Sequence, residues 1–98
     1  MEFKRIIKDH TLYYVLEGEL NSLTAPSLEK DVQEASKDIN EIVYDFAKLT
    51  YISSAGLRIL LISKKLLKPD EKVIVKNPCA DIVELFEMTG FIDIVEIQ

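Results

Sequence analysis

The sequence predicts a single α/β domain over residues 1–98, built on a mixed, mostly parallel sheet with an N-terminal antiparallel hairpin and helices packed against it. Three observations predict it. The 98 residues are 48% hydrophobic and 30% charged, and a chain of this size buries roughly 60–65% of its extended surface, enough for one core. Apolar runs of strand type and apolar stripes of helical period alternate in the order β-β-α-β-α-β-α-β. Strands separated by helices need crossovers, hence parallel pairing with right-handed connections.

Each element has its own signal. Phe3, Ile6 and Ile7, then Leu12, Tyr14 and Leu16, fit two short strands around the polar turn Asp9-His10-Thr11. Gly18-Glu19-Leu20-Asn21 ends the second strand. Pro26 suits the first turn of a helix, where its missing N–H costs nothing. Leu28, Val32, Ala35 and Ile39 then recur at helical spacing and predict one buried face, with Glu29, Asp31 and Glu34 on the wet side and the first acids near the positive N-terminus. Ile42-Val43-Tyr44-Asp45-Phe46 reads as a strand buried on both sides, followed by a loop.

Leu57 to Leu67 reads as a second helix, apolar around nearly its whole circumference. Such a helix is either central or keeps apolar surface for a partner. Pro69-Asp70 breaks it, and Val73-Ile74-Val75 is another buried strand. Asn77-Pro78 reads as a cap followed by the first helical residue, with Ile82, Leu85, Phe86 and Thr89 as the next stripe. Gly90 sits where a helix ends, and Phe91 to Ile97 reads as a closing strand.

Composition excludes several function classes. Seventeen acidic against twelve basic residues give a net charge of −5. That surface repels phosphate backbones and anionic lipid, so nucleic acid is not an expected partner. The longest strictly apolar run, Ile59 to Ile62, falls far short of the ~20 residues of a membrane span. No apolar signal segment follows Met1-Glu2-Phe3-Lys4-Arg5, and the lone Cys79 reads as a reduced thiol packed as a small apolar residue. Together these predict a cytoplasmic protein without membrane insertion. A single histidine, His10, leaves no pair for a metal and no relay; it reads as a turn or strand-edge residue. There is no phosphate-binding glycine loop. The expectation is therefore no catalytic residues, no metal and no cofactor: not an enzyme.

The stretch from Asp45 to Leu57 is the informative one, because Ser53 and Ser54 directly precede a helix. Serine there is first of all an N-cap, accepting a free N–H of the first turn. It is also a place where a phosphate would be tolerated, stabilised by exposed N–H groups and the helix dipole. Arg58 follows Ser54 by four residues, on the same helical face, and could pair with such a phosphate. Gly56 between them permits close approach. A nucleophilic serine fails for want of a neighbouring base.

Gly18-Glu19-Leu20-Asn21-Ser22-Leu23-Thr24, the Asp45 to Leu57 stretch with its Tyr51-Ile52-Ser53-Ser54-Ala55-Gly56-Leu57 string, and Ile82 to Phe91 together resemble a STAS domain. They are most similar to the anti-sigma factor antagonists, or anti-anti-sigma factors, of bacterial partner-switching systems, and the resemblance spans nearly the whole chain. It implies a phosphoprotein of transcription regulation. The unphosphorylated form binds an ATP-dependent anti-sigma factor serine kinase and frees a sigma factor; a serine phosphatase resets the switch.

The family's acceptor, two residues before the motif glycine, maps onto Ser54, with Ser53 as second choice. The family's Asp-x-x-Thr maps onto Asn21 and Thr24. With Ser53, Ser54, Gly56, Leu57 and Arg58, these are expected to form one partner-binding patch, since strand C-termini and helix N-termini converge on one edge of such a sheet. The sequence departs from the family at Asn21 and Ser53, where aspartates are usual, at Ala55, often a second serine, and at Arg58, often glycine. The resemblance also admits a small STAS subunit docking on the ATPase of a transport system. The net charge, on a domain expected to have short sheet edges, predicts a monomer when alone.

Overall fold

In the computed structural model, which describes residues 1–98, strands β1 (Glu2–Lys8) and β2 (Thr11–Leu20) form the opening hairpin. Its two-residue turn places Asp9 and His10 at φ 51° and 67°, left-handed conformations that make a turn whose twist matches the right-handed twist of the strands. His10 Nδ1 donates to the Asp38 carbonyl at 2.9 Å, so the one histidine is a turn residue, as expected. Helix α1 (Ala25–Ala35) buries Leu28, Val32 and Ala35 as its stripe predicts. It ends four residues before Ile39, which packs from the following loop. Its first turn holds no acid; Glu29 and Asp31 serve instead as ion-pair partners of Arg58 and Arg5.

Strand β3 (Glu41–Ile52) corrects a larger expectation. It does not end at Phe46 but continues six residues through the stretch read as a loop. Two shifts in its register with β2, after Val15 and after Gly18, let the pair stay together to Leu20 and Ile52. Helix α2 (Ser54–Leu66) consequently starts three residues before Leu57. Strand β4 (Lys72–Lys76) is as expected. Helix α3 (Ala80–Thr89) is capped by Cys79, not Asn77. Asn77 is held at φ 57°, which delays the helix. Cys79 is therefore exposed rather than packed inside. Gly90 closes α3 at φ 82°. Beyond it a 3₁₀ turn (Phe91–Asp93) takes up most of the expected last strand, leaving β5 (Glu96–Ile97).

The sheet order is β1-β2-β3-β4-β5, with only β1–β2 antiparallel. Sequential order with right-handed crossovers brings all three helices to one face. Side chains agree: Asp31 of α1 reaches Tyr14 and Ser63 of α2 reaches Tyr44, and those two tyrosines stack at 5.4 Å on the same side. α2 is the middle helix, which resolves its all-round apolar character in favour of a central position. The tyrosine hydroxyls are satisfied inside the core. Tyr14 donates to Asp31 Oδ1 at 2.6 Å, and Asp31 also holds Arg5 at 3.2 Å and 3.3 Å. Ser63 Oγ donates to the Ile59 carbonyl at 2.8 Å, so Tyr44 is the donor in its 2.6 Å bond to Ser63. Burial, which disfavours the phenolate, pushes both tyrosines well above their ordinary value.

Candidate functional site

The adjoining ends of β2 and β3 bring the predicted residues to one corner. Leu20 pairs with Ile52, and Ser53 N donates to the Leu20 carbonyl at 2.9 Å. Asn21 and Ser53 thus leave the sheet side by side, one into the turn before α1, the other into α2. The turn is tied by its own side chains. Asn21 Oδ1 accepts from Leu23 N at 3.0 Å and Thr24 N at 3.2 Å. Thr24 Oγ1 accepts from Asn21 N at 2.9 Å and donates to the Glu19 carbonyl at 2.8 Å. Asparagine supplies the acceptor oxygen that an aspartate would, without the charge. Asn21 and Thr24 therefore shape the corner.

At the start of α2, Ser53 is the N-cap in extended conformation, and its side chain makes no capping bond. Its Oγ is buried without any partner. The cap position agrees with the sequence; the cap hydrogen bond is missing. Ser54 is the first helical residue and is exposed. The first turn of α2 therefore keeps its free N–H groups, with the dipole's positive end at the surface. Arg58 lies one turn on and is exposed, but its guanidinium is already engaged with Glu29 of α1, Nη1 to Oε1 3.2 Å.

Two members of the predicted patch do not reach the surface, and a third, Ser53, keeps its Oγ inside. Gly56 and Leu57 are buried. A Cβ at Gly56 would lie 2.5 Å from Ile52 Cγ1 and 2.9 Å from Leu20 Cγ; the glycine lets α2 sit on the strand ends. Its role is close packing, and the accessible set narrows to Ser54, Arg58 and the Asn21–Thr24 turn. Sequence reading passed over Leu23 at the tip of that turn, 90% exposed, and Tyr51, half exposed, beside Glu19 in the sheet. The signal for Leu23 was present: an apolar residue inside a stretch of turn-forming polar ones.

The STAS domain family matches residues 3–98. The chain belongs to that family. It is 35% identical over 88 residues to BtrV of Bordetella bronchiseptica, named as a candidate anti-sigma factor antagonist, covering 88% of this chain and 76% of the relative. It is 30% identical over 101 residues to an anti-sigma-B factor antagonist of Listeria monocytogenes, covering 100% of this chain and 87% of the relative. The fold matches an anti-sigma factor antagonist from Mycobacterium paratuberculosis with TM-score 0.85 at 21% identity, over 98% of this chain and 83% of the other. It also matches the Bacillus cell fate determinant SpoIIAA in its phosphorylated form, TM-score 0.77 at 19% identity, over 99% and 91% of the two chains. The unphosphorylated form of SpoIIAA gives 0.76 at 20% identity, over 89% and 83%. No helix of the chain is long and apolar enough to cross a membrane.

Proposed function

We propose that this STAS protein is a phosphorylatable anti-sigma factor antagonist. Its unphosphorylated form docks on an anti-sigma factor serine kinase and so frees a sigma factor; phosphorylation of Ser54 ends the docking, and a serine phosphatase restores it. The carrying observation is the corner at the start of α2: an exposed Ser54 hydroxyl on an N-terminus whose cap makes no side-chain bond. The names of the relatives point the same way. Leu23, standing out beside this corner, adds apolar area that a docked partner would take from water.

A phosphate on Ser54 adds about −1.5 to −2 charges at neutral pH. The fold survives, because the helix N-terminus favours the anion and Arg58 lies one turn away. The likeness of this chain to both forms of SpoIIAA supports that expectation. Docking does not survive, since desolvating a dianion in a contact patch costs ~3 kcal/mol, or about 100-fold in affinity.

The test is a pull-down from the native host, with mass spectrometry of the partners and of the Ser53-Ser54 peptide. Ser54→Ala is expected to capture the kinase and never release it; Ser54→Asp stays folded and captures it poorly. Ser53→Ala still accepts phosphate. Equal capture by Ser54→Ala and Ser54→Asp defeats the switch. Capture of a transport ATPase by both would favour the transport-subunit reading instead.

A further inference from the structure

The two edges of the sheet are protected differently. β5 is two residues long, too short to recruit another strand. β1 runs seven residues, in unbroken register with β2 and with no strand on its outer side. The expectation of a monomer rested on the net charge and on short edges; the second premise holds at β5 and fails at β1.

The hairpin turn decides which main-chain groups face outward. A two-residue turn with positive φ at both Asp9 and His10 is closed by a hydrogen-bonded pair, here Lys8 with Thr11. Alternation along the ladder then directs the N–H and C=O groups of Lys8, Ile6, Lys4 and Glu2 toward β2. Those of Phe3, Arg5 and Ile7 point away from the sheet.

We propose that β1 is a homodimer interface: two copies pair antiparallel about a two-fold axis at Arg5, joining two five-stranded sheets into one. Among antiparallel two-fold registers, this one alone pairs every outward residue with an outward residue of the second copy. Arg5 faces Arg5, and Phe3 faces Ile7 on either side of it. Each such pair exchanges two main-chain bonds, about six in all.

The side chains fit the same register. Phe3 lies on the helix face, its ring edge-on to Tyr14 at 5.8 Å, and alternation puts Ile7, 53% exposed, on that face as well. The dimer sets Phe3 against Ile7. On the other face Glu2 meets Lys8, and the Lys4 stem covers Ile6, 54% exposed. The facing Arg5 guanidiniums are each countered by Asp31 of their own copy. Lysines on an edge deter indiscriminate pairing; in this register Lys8 gains an acidic partner. β2 separates the interface from the Ser53–Ser54 corner.

Sedimentation equilibrium of the full chain at physiological salt tests this. A species of twice the 11.2 kDa chain mass is expected at high micromolar concentration, dissociating on dilution. Ile7→Pro removes an outward N–H that β2 does not use, so it is expected to give a monomer with wild-type circular dichroism. Glu2→Lys or Lys8→Glu alone raises the dissociation constant on the order of tenfold, since each opposes like charges twice per dimer. The double swap restores it, a readout that holds even if Ile7→Pro misfolds. A wild-type monomer at high micromolar concentration overturns the proposal. So does a dimer indifferent to a folded Ile7→Pro, or single reversals that the double swap does not rescue.

Discussion

The two ends of α2 carry the same residue type in opposite circumstances. Ser63, near the C-terminal end, is fully buried and bonded to Tyr44 and the Ile59 carbonyl. Ser53, at the N-terminal end, has a buried Oγ with no partner, and Ser54 beside it stands exposed. An interior polar atom without a bond costs about 1–3 kcal/mol. At Ser63 that cost is avoided by a closed arrangement, and at Ser53 it is borne. The interior end of α2 is built for stability. The rim end leaves donors and an unbonded oxygen at the corner where a partner and a phosphate are proposed to act.

The largest expected effect breaks the interior end by pH. Tyr14 and Tyr44 have folded values raised above their ordinary 10.0, chiefly by burial. Their contribution is complete below the unfolded value and is lost as pH climbs through the alkaline range, because only the unfolded chain ionises readily there. A thermal midpoint followed by circular dichroism should fall by ~10 °C or more within ~2 pH units above pH 10. A midpoint that stays flat there refutes the buried-tyrosine account.

Next comes the packing that seats the rim. Gly56→Val places atoms where Ile52 and Leu20 already stand and should cost about 3 kcal/mol in chemical denaturation. Ser63→Ala strands the buried Tyr44 hydroxyl and should cost about 2 kcal/mol. Tyr44→Phe should cost less, about 1 kcal/mol, because Ser63 keeps its bond to Ile59. A double-mutant cycle measures the coupling. Thr24→Val removes the bonds to Glu19 and Asn21 and should cost about 1 kcal/mol. The smallest effect sharpens the contrast. Ser53→Ala deletes an oxygen that bonds to nothing and should raise stability slightly, by about 0.5 kcal/mol, as its desolvation cost is lifted. A loss as large as that of Ser63→Ala would erase the distinction between the two ends.

Much of the site was legible because its signals are local. Two serines before an apolar helix, a glycine two residues on, and Asn-x-x-Thr after a strand are visible in the chain. The depth of Gly56 and Leu57 was not. Whether a residue at a helix start faces a partner or a neighbouring strand depends on how far that strand runs, and β3 runs six residues past the point where its apolar run stops. Its outer half, Ala47 to Tyr51, alternates poorly because only Leu49 turns inward. Pairing with β2 holds it extended. The salt bridge from Arg58 to Glu29 spans 29 residues of sequence, beyond the reach of any spacing rule along one helix.

The sequence by itself determined the element order, the parallel sheet with its antiparallel first pair, the hairpin turn at His10 and the end of α3 at Gly90. These follow from apolar period and backbone preference, which act over a few residues. Tertiary structure decided the length of β3, the exposure of Cys79, the shortening of the last strand to two residues by a 3₁₀ turn, and the bare outer edge of β1. Each depends on which segment lies alongside. Backbone groups bond to whatever neighbour the fold supplies, and a side chain is buried only where another element comes to cover it.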